Sequence, residues 1–535
     1  MTATKDQNLV HATKPQLLAF VQGIIGYPID TYAIVAVLET YGLRDVDARE
    51  RFGAENVFDL ADELFAEFQM RAKRYPHIPE QSKKKVVPAW QKFLLFYARG
   101  LFSNAPWALQ IASLLLFGYA FGIYAKFDGK QVTVAGVGMM LSFLVSGGFV
   151  QALGRMASFY NGQGSYALTR QVYYRIWMLG VSAMIVSAFL LDGINWFIPL
   201  FPEDFLMIGL AYYVCCGVMS LSLTLFYTLN KHAGLLVSTL AGVCAMILVM
   251  EFTPLSIYVA HWTGFLVTTA VGFTWIHFIL KKLTGSMSKQ QRDVQLPRLS
   301  ALLPSVAPYF LAGTLYFAYL LTDRLVSWSL TPDGISLKLW IHAGYEMLLL
   351  WAFGAFSFML PLLEYIGEDF ALRIQRTQER FTIRSRAEHN NIYVDRYMQY
   401  WLMVVGMSIL VGCSVYAAYI LTRTAATDAM FQRVLNATPT LARQVIVCGL
   451  IGYSLMVWGL MNNIILYTLS RPFDAVRAFL WAIAANAMLG FWLTRSFGYW
   501  YSVVGMTFGA LVFAAFTTRA VLRALRQMDY SCYAA

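Results

Sequence analysis

Charged residues are scarce in this 535-residue chain, where Lys, Arg, Asp and Glu make up 13% and hydrophobic residues 58%. Soluble globular proteins carry about 25% charged residues, so the composition excludes an ordinary soluble domain and predicts a membrane protein. A long apolar run is missing from the start, which reads MTATKDQNLVHATKPQ. Because a cleavable signal sequence needs such a run, we expect the N-terminus to stay in the cytoplasm.

Cysteine is rare as well, and its spacing excludes zinc and redox motifs. Five of the six cysteines lie in apolar runs, where a thiol packs as a small hydrophobic group. The six are Cys215, Cys216, Cys244, Cys413, Cys448 and Cys532. No Walker A, HExxH or GxSxG motif occurs, so we predict no enzyme, no bound cofactor and no metal site. The formal charge of +11 is spread between apolar segments, which argues against nucleic-acid binding.

Apolar runs of about 20 residues, the length that crosses a hydrocarbon core, recur from Phe93 to Arg526. We predict an all-α polytopic membrane protein with about twelve transmembrane helices in two lobes of six. The N-lobe covers residues 86–282, a cytoplasmic loop covers 283–298, and the C-lobe covers 299–535. The predicted spans are 93–124, 132–152, 174–191, 204–229, 233–251, 256–280, 300–322, 336–362, 398–422, 441–468, 472–494 and 497–523.

The distribution of Lys and Arg supports this count and sets the orientation. With the N-terminus in the cytoplasm, most Lys and Arg between the spans fall on the cytoplasmic side, as short cytoplasmic loops require. Both termini are then cytoplasmic. Two equal sets of spans suggest an internal repeat around a central site, and Pro106 and Pro308 lie near the start of the first helix of each half.

Two segments outside the spans have helical patterns of their own. For residues 1–85 we predict a small cytoplasmic helical bundle with a linker, because Phe58, Leu64 and Phe68 lie at helical spacing and form an apolar stripe. Residues 364–394 predict an amphipathic helix on the inner membrane surface. Its basic side either lies against lipid headgroups or docks a cytoplasmic partner. The docking candidates are Arg373, Arg376, Arg380, Arg384 and Arg386.

Three ionisable residues, Lys338, His342 and Glu346, recur at four-residue spacing in the eighth span. On a helix over 336–362 they share one face, with Glu346 about 12 Å deeper than Lys338. Because a charged group facing lipid is costly, we expect this face to point inward. Two explanations stay open, a substrate or ion site and a structural pairing of Glu346 with His342 or Arg324. Further interior candidates are Arg99, Asn104, Arg155, Asn462 and Asn463.

Several stretches resemble the PelG family, the inner-membrane transporters of Pel exopolysaccharide systems, a polysaccharide-transporter branch of the MOP flippase superfamily. The stretches are ARGLFSNAPWALQIASLLLFG, YFAYLLTDRLVSW and the last third from NNIILYTLSRPFDAVRAF to RQMDYSCY. The resemblance implies two six-helix lobes around a central cavity in the bacterial inner membrane. It also implies a polysaccharide substrate, a cytoplasmic glycosyltransferase and other exopolysaccharide-synthesis subunits as partners. Pathway residues carried over are Pro106, Trp107, Asp323, Arg324 and Trp328. The bundle over residues 1–85 departs from the family.

Three functions follow as hypotheses. The first is export of an exopolysaccharide or its glycan precursor through a cavity lined by aromatic and polar side chains. The second is an ion-coupled flippase of a lipid-linked or amphipathic substrate, with Glu346 as the proton or sodium site. The third is a membrane scaffold that recruits a glycosyltransferase.

Overall fold

The computed structural model describes residues 13–25, 28, 31–74, 88–199, 201–288, 294–332, 337–380, 386–425 and 438–528. In these ranges the chain forms seventeen α-helices and one two-stranded hairpin. The contacts between Cα atoms group them into two compact units. The larger unit contains Phe93–Glu364 and Leu402–Ala520, and the smaller one includes the N-terminal helices and Tyr365–Trp401.

The N-terminal helices form a bundle with its own hydrophobic core. They are α1 (Lys14–Ile25), α2 (Thr31–Thr40), α3 (Asp45–Phe52) and α4 (Val57–Arg74). Leu18, Ile34, Leu60 and Phe68 are among the fully buried side chains of this core. The cytoplasmic location of this segment and its bounds as a domain, residues 1–85, stay predictions.

The first predicted span, 93–124, is not one continuous helix. It consists of α5 (Ala89–Ser103), α6 (Ala105–Phe117) and a hairpin of β1 (Tyr119–Ala120) and β2 (Ile123–Tyr124). The break falls at Asn104, and Pro106 lies in the first turn of α6. Proline lacks the N–H that would continue the hydrogen-bond ladder, which explains why a new helix starts there.

Eleven helices in the described part of the chain are long and apolar enough to cross a membrane, and they correspond to the other eleven predicted spans. In the first half they are α7 (Gly129–Gly162), α8 (Tyr166–Phe197), α9 (Glu203–Thr228), α10 (His232–Phe252) and α11 (Ile257–Gly285). In the second half they are α12 (Leu299–Trp328), α13 (Ala343–Arg380), α14 (Arg386–Ala425), α15 (Pro439–Thr468), α16 (Pro472–Phe497) and α17 (Ser502–Leu525). The chain is thus an all-α multi-pass membrane protein.

The segment predicted as a separate amphipathic helix, 364–394, is shared between two long helices. α13 continues through its apolar part to Arg380, and α14 begins at Arg386; residues 381–385 lie outside the described ranges. Asp369 joins the two helices, since its Oδ2 accepts hydrogen bonds from Arg396 Nη2 (2.6 Å) and the Tyr400 hydroxyl (2.6 Å). Its location at the membrane surface stays a prediction.

The two halves contact each other through two pairs of helices, each made of one helix from either half. The first helical segments of the first half contact α13, where Tyr97 donates to the Phe358 carbonyl (2.9 Å) and Asn104 to the Ser357 carbonyl (3.0 Å). The next helix, α7, contacts α12, where the rings of Phe143 and Phe317 stack 5.6 Å apart. The first helix of each half therefore lies against the second helix of the other, an arrangement expected of a repeat related by a pseudo-two-fold axis.

Candidate functional site

An arginine buried between membrane helices forms the centre of a polar cluster. Arg324 on α12 is 8% exposed. Its guanidinium lies 3.5 Å from Asp323 Oδ1 and 3.4 Å from Glu346 Oε2 on α13. It also donates to the Leu320 carbonyl (2.9 Å) and to the Tyr453 hydroxyl on α15 (3.1 Å). Three helices thus supply partners to one buried positive charge.

The two carboxylates have further partners. Trp328 Nε1 donates to Glu346 Oε1 (2.9 Å). The Tyr345 hydroxyl donates to Asp323 Oδ2 (3.2 Å) and accepts from Ser502 Oγ on α17 (2.9 Å). We call Asp323, Arg324 and Glu346 with these partners the buried ion cluster. With both carboxylates ionised it holds two negative charges and one positive charge. The Asp323 side chain is fully buried, whereas that of Glu346 is 25% exposed.

The prediction that Lys338, His342 and Glu346 share one face of a helix is wrong. Helix α13 begins at Ala343, so Lys338 and His342 lie in the connection before it and do not share a helical face with Glu346. Glu346 lies in the first turn of α13, where a negative charge interacts favourably with the helix dipole. Of the two pairings left open for Glu346, the structure contains the one with Arg324.

His342 packs against neighbouring groups of the protein, whereas Lys338 is exposed. The His342 ring stacks on Tyr499 with centroids 3.7 Å apart, and its Nε2 lies 2.8 Å from the Leu330 carbonyl. Because a carbonyl only accepts, Nε2 carries the proton in this contact. Burial lowers the pKa of His342 below its usual range, which favours the neutral ring.

The pathway candidates of the first half lie at separate places. Arg99 is partly buried with its guanidinium 5.4 Å from the Phe96 ring. Trp107 is 55% exposed and meets Phe353 of α13 edge to face at 6.4 Å. Asn104, Pro106 and Trp107 therefore lie where α6 meets α13. Arg155 lies near the end of α7, and its surroundings differ from those of the buried ion cluster.

Asn462 and Asn463 are buried on α15, about 14 to 15 Å further along the helix than Tyr453. The Asn462 side-chain amide donates to Thr517 Oγ1 (3.0 Å) and Thr518 Oγ1 (2.9 Å). The contacts bind α15 to α17, so this residue has a structural role whether or not substrate reaches it.

Of the docking candidates, Arg373 lies on α13 with Nε 3.3 Å from Asp369 Oδ2. Arg376 and Arg380 follow on the same helix, and Arg386 is the first residue of α14. Arg384 lies outside the described residues. A partner for these residues stays a prediction.

Tyr345, Tyr453 and Ser502 were not among the predicted site residues. Tyrosine and serine are common in membrane helices, and no local pattern marks those that reach a distant charge.

The sequence also contains a short repeat that the predictions did not use: YTLNKH from Tyr227 and YTLSRP from Tyr467 are nearly the same. Both form the same turn, with Asn230 at φ +53° and Ser470 at φ +55°. The turns connect α9 to α10 and α15 to α16, equivalent positions in the two halves.

Comparison with known proteins supports the architecture. No protein-family model and no curated protein matches the sequence. A variant of the MATE transporter VcmN from Vibrio cholerae has a TM-score of 0.57 and 13% identity, covering 82% of this chain and 97% of that one. The eukaryotic MATE transporter AtDTX14 has a TM-score of 0.55 and 10% identity, with 82% and 98% covered. A MOP superfamily transporter from Pyrococcus furiosus has a TM-score of 0.55 and 11% identity, with 81% and 96% covered. The chain therefore has the fold of the MATE transporters of the MOP superfamily.

Proposed function

We propose that this protein moves a glycan, an exopolysaccharide or its precursor, across the bacterial inner membrane between its two halves, with both termini in the cytoplasm. The observation that carries the proposal is the match of 82% of the chain to a solved transporter at a TM-score of 0.57. The resemblance of its motifs to PelG sequences supports a glycan as substrate. Exposed Trp107 beside Phe353 offers an aromatic face on which a sugar ring can stack.

The test is deletion of the gene in its own bacterium, followed by measurement of polysaccharide outside the cells. We expect export to be lost and to return with the wild-type gene. Polysaccharide that accumulates inside the deletion strain would indicate a defect in transport, whereas its absence inside and outside the cells would indicate a defect in synthesis. Normal export without the gene would contradict the proposal.

The buried ion cluster favours a second candidate, an ion-coupled flippase of a lipid-linked or amphipathic substrate. Its two carboxylates share one arginine, and Glu346 is the more exposed of the two. A proton or sodium ion arriving at Glu346 would compete with Arg324 for that carboxylate. This competition would couple ion binding to contacts between α12 and α13.

Purified protein in vesicles with an imposed proton or sodium gradient tests this candidate. Glu346→Gln should abolish gradient-driven uptake of a lipid-linked glycan while leaving the amount of folded protein unchanged. The matched control is Glu251→Gln, because Glu251 is exposed and its carboxylate accepts a hydrogen bond from the Tyr119 hydroxyl (2.8 Å). Uptake by the Glu346 variant at the wild-type rate would rule out this site.

We further propose that a cytoplasmic glycosyltransferase and other exopolysaccharide-synthesis subunits bind the N-terminal bundle or the arginines of α13 and α14. The self-contained core of the bundle supports a separate binding module. Pull-down of a glycosyltransferase by the full chain, and its loss when residues 1–85 are removed, is the expected result. Equal recovery by both chains would place the contact elsewhere.

A further inference from the structure

An open apolar groove follows the exposed face of α11. It has a volume of about 660 Å³ and is lined by Ala270, Val271, Thr274, Trp275 and Phe278. Trp275 is 38% exposed and Phe278 is 61% exposed. Because the hydrocarbon core of a membrane contains no water, apolar side chains exposed on a spanning helix contact lipid. The ligand that fits this groove is therefore an acyl chain.

Two lysines lie at the end of the groove. Lys281 follows Phe278 by three residues and Lys282 follows it by four, spacings at which side chains share one helix face. Both lysines are exposed, and neither forms an ion pair with another described residue. Helix α11 has no Lys, Arg, Asp or Glu before them, from Ile257 to Leu280. They therefore mark the level at which the helix leaves the hydrocarbon core and enters the headgroup layer.

The neighbouring helix α8 brings an arginine to the same height. The Tyr174 hydroxyl of α8 lies 2.7 Å from His277 Nδ1 of α11. Arg170 lies one turn before Tyr174, and Lys281 lies one turn after His277. Because these two helices, the third and sixth spans, cross the membrane in opposite directions, both steps lead toward the same end. Arg170 and Lys281 therefore flank one point at the end of the groove.

The surrounding end of the first half carries positive charge without acidic residues. Residues 150–180, 219–240, 270–288 and 294–298 contain no Asp or Glu. Their Lys and Arg residues are Arg155, Arg170, Arg175, Lys231, Lys281, Lys282 and Arg298. Membrane topology accounts for an excess of such residues at one face of the membrane. It does not explain why Arg170, Lys281 and Lys282 meet at the open end of an apolar groove. An anionic phospholipid has both a charged and an apolar part, and it matches this combination.

We propose that the groove of α11 and the basic residues at its end bind one anionic phospholipid. Its phosphate contacts Arg170, Lys281 and Lys282, and an acyl chain lies along Thr274 and Ala270. From Lys281 to Ala270 the helix rises by about 16 Å, which is close to the depth of one leaflet, about 15 Å. The inference does not depend on the proposed transport of a glycan, because the site faces the membrane and binds a lipid of the membrane itself.

Native mass spectrometry of the purified full chain tests this site by measuring the affinity for the first bound lipid. The probes are phosphatidylglycerol, which is anionic, and phosphatidylcholine of the same chain length, which has no net charge. Glycerol phosphate, a headgroup without chains, is the competitor. Lys281→Gln combined with Lys282→Gln removes the charges, and Ala270→Trp fills the groove. All three residues are exposed, so the variants should unfold at the wild-type temperature.

Two matched controls make the same changes elsewhere. Lys126→Gln combined with Lys130→Gln removes two exposed lysines near the start of α7, and Ala417→Trp adds the same bulk to an exposed position of α14. Both controls should bind the two lipids as the wild type does.

We expect the wild type to bind phosphatidylglycerol about tenfold more tightly than phosphatidylcholine, and the double lysine variant to keep about a twofold preference. The Ala270 variant should bind both lipids less tightly, and excess glycerol phosphate should not displace phosphatidylglycerol. Equal affinities in the wild type, or an unchanged affinity in either variant, would overturn the site. The same loss in a control would overturn it too. Displacement by glycerol phosphate would show a site for soluble phosphate esters and would also contradict the proposal.

Discussion

At the scale of single residues, Arg324 is the group on which the buried ion cluster depends. It lies among two carboxylates and the Tyr453 hydroxyl, and 8% of its surface is exposed. Removing one member of a buried pair leaves an uncompensated charge, which costs more than the pair itself contributes. The cluster is therefore sensitive to loss of its positive charge, whatever its role in transport.

Replacement of this residue by Arg324→Met should lower the free energy of unfolding by about 3 kcal/mol, because it leaves Asp323 and Glu346 without their cation. Thermal unfolding of the purified protein, followed by tryptophan fluorescence, measures the change. Arg495→Met is the control, since Arg495 is exposed and contacts Ser329 at 3.1 Å. Equal effects of the two substitutions would show that the buried pairs contribute little.

His342 should make the protein less stable in mild acid. Because burial lowers the pKa of the folded state below the unfolded value of about 6.5, the unfolded chain takes up the proton first. The contribution of the neutral ring is present above pH ~6.5 and is lost as the pH falls toward the folded-state pKa. Unfolding temperatures at pH 7.5 and 5.5 should therefore differ less in His342→Phe, which keeps a ring on Tyr499. An identical difference in both proteins would contradict this.

At the scale of helices, close glycine crossings determine how the second half packs. A Cβ on Gly505 of α17 would lie 2.5 Å from the Cα of Gly490 on α16. Neither backbone can move aside as the tip of a flexible side chain can, so an added methyl group must push the helices apart. Overpacking of this kind is destabilising.

The substitution Gly505→Ala should lower the free energy of unfolding by about 1 to 3 kcal/mol. Gly412→Ala on α14 provides the comparison, because no atom lies within 4 Å of the added Cβ; there the change should stay within about 1 kcal/mol and favour the helix. Denaturant titration in detergent measures both. A Gly505 variant as stable as the Gly412 variant would show that the crossing is looser than described.

The presence of the membrane helices could be predicted from the length of the hydrophobic runs. The residues at which helices begin and end could not, because they depend on prolines and hydrogen bonds that do not change the hydropathy of a run. Eleven predicted spans correspond to long apolar helices, since about 20 apolar residues have few alternatives in a membrane. The break at Asn104 depends on Pro106 and on a hydrogen bond to Ser357, and the start of α13 at Ala343 was hidden inside an apolar run. Asp323, Arg324, Trp328 and Glu346 could be predicted as interior residues. The hydrogen bond from Arg324 to Tyr453 could not be predicted, because it depends on how α12, α13 and α15 pack.

At the scale of the whole molecule, the repeat accounts for the relation between the halves. Each half begins with a helix that contacts the second helix of the other, and each carries one copy of the YTL turn with a left-handed residue. Symmetric halves allow one interface to open at either face of the membrane. If the proposed function holds, we expect Ser470, which stands where the first half has Asn230, and the buried ion cluster of the second half to influence the direction and energy of transport. A central cavity between the halves stays a prediction.

The central claim is that a glycan passes between the two halves. A photoreactive residue placed at Trp107, beside Phe353 of the other half, should become covalently linked to polysaccharide in cells that are exporting it. The same residue at Trp275, in an open groove of about 660 Å³ lined by α11 alone, should not. Links at Trp275 alone, or none at Trp107 while export continues, would contradict the account.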